Sequence, residues 1–402
     1  MAVCGIVAEY NPFHSGHAYH IAQSRAVLGA ETAVVCVMSG NFVQRGSPAV
    51  FLKHARAEAA LRCGADLALE LPLPWALSSA ERFAFGAVSL LASTGVVTHL
   101  SFGSEGGDLA ALRRAAALLA RSELGPLIRE ALGRGLPYAA ARQAAAEALS
   151  GDRLDIMSTP NNILGIEYLK ALQTLRAPIT PLAIPRLGAG HDGAEAGAGE
   201  FPSASALRER LKTGDGVSGA VPAAALEVFE RETAAGRGPI FAESLDTALL
   251  SRLRALPRED FAALPDMSEG LENRLFRAAR EAGSFAEAVS LAKTKRYAAS
   301  RLRRAFLGAA LGLRAEDASR GAPPYLRVLA ANAKGRALLA RMREAAALPV
   351  LTKPAAAREL NEKARRVFDL EAGAADLYAL ALPAAEERRG GAEWRTGPVI
   401  VE

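Results

Sequence analysis

The sequence predicts an α/β protein, a doubly wound parallel sheet followed by a second, mainly helical domain. Three observations carry that expectation. Short β-branched or Leu-rich runs alternate with helically spaced segments through the first hundred residues. The runs are apolar throughout, as strands buried on both faces are. Beyond about Val217 the chain turns helical with Pro-marked breaks. At 402 residues it exceeds one ordinary domain, so we expect two, at 1–216 and 217–402.

The elements follow in order. Residues 2–7, 33–38, 67–71 and 98–102 read as strands, and residues 16–28, 53–63 and 79–93 as the helices between them. Strand–helix–strand alternation implies parallel, right-handed crossovers, and such sheets bind ligands at the carboxyl ends of their strands. Residues 108–150 are Ala- and Leu-rich and helical, Asn162 is placed to cap a helix running to about Leu175, and 179–184 reads as a further strand. Residues 188–199 are so rich in Gly and Ala that they predict a mobile loop or a lid ordered on binding. Short strands are expected at 325–330 and 348–352.

Composition bounds the function class. With 50% hydrophobic and 23% charged residues the chain reads as soluble and globular. No stretch approaches the roughly 20 apolar residues that cross a bilayer. The first residues carry no basic leader or cleavage site, so no membrane association and a cytoplasmic location are expected. Cys4, Cys36 and Cys63 lie in apolar runs without CxxC spacing, which predicts reduced core thiols and no metal site. The net charge of +5 is too mild to identify a partner.

The densest chemistry follows the first strand, in Glu9-Tyr10-Asn11-Pro12-Phe13-His14-Ser15-Gly16-His17. Pro12 ends the strand, and Gly16 permits close backbone approach at a helix start whose unpaired amides favour anions. With His17 in the first turn, His14 and His17 face one cleft and donate hydrogen bonds to phosphate oxygens, which matters most as charge builds on phosphorus. The alternative is a pair of solvated histidines at a helix cap, or half a zinc site; no partner ligands with suitable spacing appear for the latter.

His14-Ser15-Gly16-His17 resembles the HxGH motif of the nucleotidyltransferase and class I aminoacyl-tRNA synthetase superfamily. Further blocks narrow the resemblance: VAEYNPFHSGHAYH at 7–20, VMSGNFVQRG at 37–46, LELP at 69–72, FGSE at 102–105, PNNILG at 160–165, GLENR at 270–274 and KTKRY at 293–297. Together they are similar to the bacterial tRNA(Met) cytidine acetate ligase family, collinear over roughly three quarters of the chain. The resemblance implies a Rossmann-like nucleotidyltransferase sheet of the HUP type. It also implies an enzyme that forms acetyl-adenylate from ATP and acetate, then acetylates the exocyclic amine of the wobble cytidine of elongator tRNA-Met. ATP contacts are implied at Val7, Ala8, Glu9, Tyr10, Asn11, Pro12, Phe13, His14, Ser15, Gly16, His17, Ala18, Tyr19 and His20, and at Gly103, Asn161 and Arg186. Mg²⁺ is expected to accompany the triphosphate. Ser15 replaces the commoner Asn of the family motif.

Each of these positions also has a plainer interpretation. Gly103 makes room for a nucleotide or simply a turn; Asn161 reads a nucleotide edge or serves a turn beside Pro160; Arg186 contacts phosphate or is solvated. Ser203 or Ser205 caps a helix, and their hydroxyls with the free amides offer a second phosphate cradle. Six of the twelve residues from Lys293 to Arg304 are cationic. Helical spacing puts Lys293, Arg296, Tyr297, Arg301 and Arg304 near one face, with Lys295 beside them, which suggests RNA phosphates and a stacked base rather than a merely solvated face. Two other functions fit the same motifs: an adenylyltransferase acting on a phosphorylated cofactor precursor, and a non-catalytic RNA-binding protein.

Overall fold

The strands, numbered here in chain order, are β1 (Val3–Ala8), β2 (Ala33–Ser39), β3 (Phe42–Val43), β4 (Ser47–Pro48), β5 (Leu67–Leu71), β6 (His99–Ser104), β7 (Thr180–Pro185), β8 (Leu326–Ala331), β9 (Val350–Leu351) and β10 (Val399–Ile400); the central ones are buried, while β7 and β10 are partly exposed. All of β2 and β5 is buried, as expected of central strands covered on both sides. The computed structural model describes residues 2–187, 201–267, 270–317 and 321–402; the loop expected at 188–199 lies outside them.

β5, β2, β1, β6 and β7 pair in parallel in that spatial order. The chain runs outward from β1 through β2 to β5, then returns to the other side of β1 for β6. The strand order therefore reverses between β1 and β6, which is where an open α/β sheet forms its binding crevice. Helices Ser15–Leu28, Lys53–Arg62 and Ala80–Ser93 make the crossovers, close to the expected bounds.

The C-terminal part returns to this sheet. β8 adds antiparallel to β5, and β9 and β10 pair with the two ends of β8, so the sheet is parallel-dominated rather than wholly parallel. Strands were expected at 325–330 and 348–352, but within the helical domain. Helices between Asp246 and Ala310 form a separate core of Leu249, Leu253, Leu275, Phe285 and Phe306. Helix Glu362–Ala379 is buried on two sides: Val367 and Phe368 pack on the sheet core, Leu370, Leu377 and Tyr378 on the helical one. The break expected near 216 is thus no break in the sheet.

Two buried cations shape the carboxyl ends of the strands. Arg56 donates from Nε to the Phe51 carbonyl and from Nη2 to the Ser39 carbonyl, both at 3.0 Å, and also to the Glu9 and Gly40 carbonyls. It thereby pins the ends of β1 and β2 together. Lys53 lies 2.6 Å from both Glu70 and Glu393 and 4.0 Å from Glu371, while Arg327 lies 3.6 Å from Glu393. This cluster locks the C-terminal segments onto β5. Between β2 and the Lys53 helix, the β3–β4 hairpin projects toward the crevice.

Candidate active site

The crevice between the ends of β1 and β6 is a cleft of about 420 Å³ among the described residues. Its entrance is built by the helix that follows β1. His14 is the N-cap of Ser15–Leu28, with extended backbone (φ −145°, ψ 173°), and its Nδ1 accepts from the Gly16 N–H at 3.1 Å. His17, one turn on, returns the bond: its Nδ1 accepts from the His14 N–H at 3.2 Å. Two imidazoles thus fill the roles usually taken by a capping hydroxyl and carboxylate. Gly16 is required sterically, because a Cβ there would sit 2.9 Å from His14 Cε1.

The capping fixes protonation. A ring whose Nδ1 accepts a backbone N–H carries its hydrogen on Nε2, so each neutral histidine keeps one donor. Both stay neutral at physiological pH. Burial, helped by Arg186 and Arg208, pulls His14 down to about 4, and burial with the neighbouring His14 holds His17 well below its ordinary value. The ring centroids lie 3.9 Å apart. His20 completes the row: its Nε2 donates to Ser101 Oγ at 2.8 Å, since the Ser24 hydroxyl is spent on the His20 carbonyl and leaves Ser101 to donate to Ser24. Burial brings His20 down to about 4 as well. Three neutral imidazoles beside cationic Arg186 and Arg208 make a wall suited to an anion.

The rest of the cleft comes from four other segments. Gly103 is filled from outside by Arg186, whose Cγ would be 3.2 Å from an added Cβ. Glu105 organises the start of helix Pro160–Leu175: its carboxylate accepts from Thr159 Oγ1 and Asn161 Nδ2, both at 2.8 Å, and its N–H donates to Asn162 Oδ1 at 3.2 Å. The Asn161 side-chain Oδ1 accepts from Arg186 Nη1 at 3.5 Å. The expected cap at Asn162 is corrected to Thr159, because Pro160 occupies the first helical position. Ser203 does cap helix Ala204–Thr213, accepting from the Ala206 N–H at 3.2 Å, and Ser205 accepts from Arg208 Nη2 at 2.8 Å. Arg208 also donates to the Asn11 carbonyl at 2.8 Å, joining this helix to the loop after β1.

Most of the residues named from sequence converge here. Val7, Ala8, Glu9, Tyr10, Asn11, His14, Gly16, His17, Tyr19, His20, Gly103, Asn161, Arg186, Ser203 and Ser205 line the cleft. Pro12, Phe13, Ser15 and Ala18 do not. Phe13 is core, and Ser15 Oγ donates to the Ala220 carbonyl at 2.9 Å. Sequence reasoning missed Gln44 and Arg45 from the β3–β4 hairpin, Phe83, Tyr168 and Arg208. Phe83, Tyr168 and Arg208 carry no local signature; the QRG of the hairpin, which includes Gln44 and Arg45, stood in a family block with no role attached. Among the described residues, no group of three or more His, Cys, Asp or Glu side chains is placed to hold a metal ion.

The basic segment departs from its expected form. The helix ends at Ala292, Lys293 is an extended C-cap, and the next helix starts at Ala299, so Lys293, Lys295 and Arg296 lie on a loop instead of a helical face. The Thr294 hydroxyl accepts from the Arg296 N–H at 3.2 Å, a local turn that competes with helix formation. Tyr297 is corrected too: its ring is core, with the Arg301 guanidinium 5.0 Å from its centroid. Arg301 donates to the Asp266 carbonyl at 2.6 Å, and Arg304 to the Gln44 carbonyl at 3.2 Å. Gly46, with φ +77°, lets the hairpin lie against Arg303, which donates to the Arg45 carbonyl at 3.1 Å.

The HIGH Nucleotidyl Transferase family profile matches residues 1–393. A tRNA(Met) cytidine acetate ligase of Acetivibrio thermocellus is 37% identical over all of both chains. One from Caldanaerobacter subterraneus is 39% identical, covering 95% of this chain and 96% of the relative. Two crystal structures of Thermotoga maritima TmcAL, apo and bound with alpha-thio ATP, superpose with TM-scores of 0.94 and 0.92 at 35% identity, over all of each chain.

Proposed function

Because this chain belongs to the tRNA(Met) cytidine acetate ligase family, we propose that it uses ATP to activate acetate and transfers the acetyl group to the exocyclic amine of the wobble cytidine of elongator tRNA-Met. It is a ligase of the HIGH nucleotidyl transferase type. The observation that carries the mechanism is the pair of neutral, backbone-capped histidines at the crevice.

In the first step a carboxylate oxygen of acetate attacks the α-phosphorus of ATP. The P–O bond to the β-phosphate breaks, and pyrophosphate leaves with the electron pair. His14 and His17 each direct one Nε2–H at phosphate oxygens where charge develops, and the Gly16 end of the helix and Arg208 add to that field. Donors fixed by the cap need no reorganisation and, being neutral, no counter-charge. Gly103, Asn161 and Arg186 contribute contacts to the nucleotide, and Ser203 and Ser205 a second rim for phosphates. Mg²⁺ travelling with ATP would shield the charge of the triphosphate.

In the second step the cytidine amine attacks the acetyl carbonyl carbon and AMP departs. Residues 1–216 hold the nucleotide, and 217–402 contribute the tRNA contact, with Lys293, Lys295 and Arg296 on the exposed loop the best-placed phosphate partners. Arg301 and Arg304 serve that surface by their charge, and Tyr297 supports it from within the core. No helix among the described residues is long and apolar enough to cross a membrane, and a tRNA substrate favours the cytoplasm.

The direct test is to incubate the protein with ATP, labelled acetate and tRNA, then digest and identify the labelled nucleoside. Labelled acetylcytidine from the anticodon of tRNA-Met is expected. Failure of both nucleoside acetylation and acetate-dependent ATP–pyrophosphate exchange would overturn the proposal.

A further inference from the structure

Among the described residues that line the cleft, one carries a carboxylate: Glu9, near Arg45, Arg208 and Tyr168, with Phe83 and Phe102 also in the lining. Glu9 is the last residue before the chain turns at Tyr10, whose φ of 48° places it in the left-handed region. One carboxylate oxygen accepts from the Gln44 N–H at 2.8 Å. No hydrogen bond reaches the other oxygen from the described residues, and Glu9 lines the cleft. A free carboxylate oxygen is poorly suited to a triphosphate, which it repels. It is well suited to an amine.

We propose that Glu9 is the base of the transfer step: its free oxygen accepts a hydrogen bond from the exocyclic amine of the cytidine and takes the proton that amine sheds. This rests on the function proposed above and adds the acceptor side of the same cleft.

A carboxylate accepting from the N4 amine is the ordinary way a protein distinguishes cytosine, and aromatic surfaces are what extruded bases rest on. The chemistry asks for a base here, because the lone pair of that amine is delocalised into the ring and the nitrogen becomes cationic as it bonds to carbon. As the N–C bond forms, the C–O bond of the acyl-phosphate breaks, AMP leaves with that electron pair, and the proton passes from nitrogen to Glu9. Burial raises the Glu9 carboxyl above its ordinary value, despite the Gln44 N–H and the nearby Arg208, Arg56 and Arg45, and so makes it a stronger base. The route for the RNA agrees. The hairpin that carries Gln44 and Arg45 beside Glu9 is held through those same two carbonyls by Arg304 and Arg303, directly after the basic loop.

Glu9→Gln keeps an acceptor for the Gln44 N–H and removes the base. Acetate-dependent ATP–pyrophosphate exchange reads the first step without RNA; single-turnover transfer from preformed acetyl-adenylate to tRNA reads the second. Transfer is expected to fall more than 100-fold, at least tenfold further than exchange does, and to lose its rise with pH; Glu9→Asp, which keeps a shorter carboxylate, recovers part of the transfer rate. Transfer at the wild-type rate, or exchange and transfer lost to the same degree in both variants, would overturn the inference. If the wild-type protein performs neither step, the function itself fails and not the role of Glu9.

Discussion

Two clusters of ionisable side chains sit at the carboxyl ends of the same sheet and solve opposite problems. At the crevice, His14, His17 and His20 avoid charge: burial and neighbouring arginines hold them neutral, and backbone or hydroxyl partners leave His14 and His17 one N–H each for a ligand. Under β5, Lys53, Glu70, Glu371, Glu393 and Arg327 are almost wholly buried, and Lys53 pairs with Glu70 and Glu393 at 2.6 Å. Burial acts against every charge there, yet Lys53 and Arg327 hold Glu393 below its usual value, while Glu371 is driven well above it. The first cluster keeps bonding capacity for a substrate. The second uses its own to bind chain segments about 300 residues apart.

Removing the central cation therefore has the largest expected effect. Lys53→Met leaves Glu70 and Glu393 buried without their partner and should cost about 3–5 kcal/mol of stability. Urea denaturation measures it; a loss below about 1 kcal/mol would show that the cluster is not the lock described here. Exchange activity per folded molecule should change little, because none of the five residues lines the cleft.

His17→Ala should do the reverse. Acetate-dependent ATP–pyrophosphate exchange is expected to drop about 10²–10³-fold, the usual worth of one preorganised donor, with a small shift in melting temperature. Wild-type exchange in that variant would erase the distinction between the clusters.

The smallest effect tests neutrality itself. Folded His14 titrates at about 4 and unfolded histidine near 6.5, so the unfolded chain alone takes up the proton between those values. Stability from this source is fully present above pH 6.5 and is lost as the pH falls toward 4. The stability advantage of wild type over His14→Gln should thus be constant from pH 7 to 8 and shrink by roughly 1–2 kcal/mol at pH 5. An advantage that grows as the pH falls would mean that His14 is charged in the folded protein.

Much of this was legible in the chain. The central strands β1, β2 and β5 are largely apolar runs, helically spaced segments separate them, and His14, Gly16 and His17 lie within one helical turn, where local geometry alone brings them together. Continuous spacing misled where it ran through a break: Lys293 to Arg304 carries helical periodicity, but the Thr294 turn and the burial of Tyr297 divide it. Glu9 sat in the motif with no sign of which way its second oxygen would face.

The sequence by itself determined the strand–helix alternation and the paired imidazoles, because each depends on neighbours within about four residues. Only the tertiary structure decided that β8, β9 and β10 complete the sheet, that Arg208 and the β3–β4 hairpin reach the cleft, and that Lys53 meets Glu371 and Glu393. Those contacts join segments far apart in the chain. Which distant segments meet is fixed by burial and charge pairing in the folded core, and no local pattern records the choice.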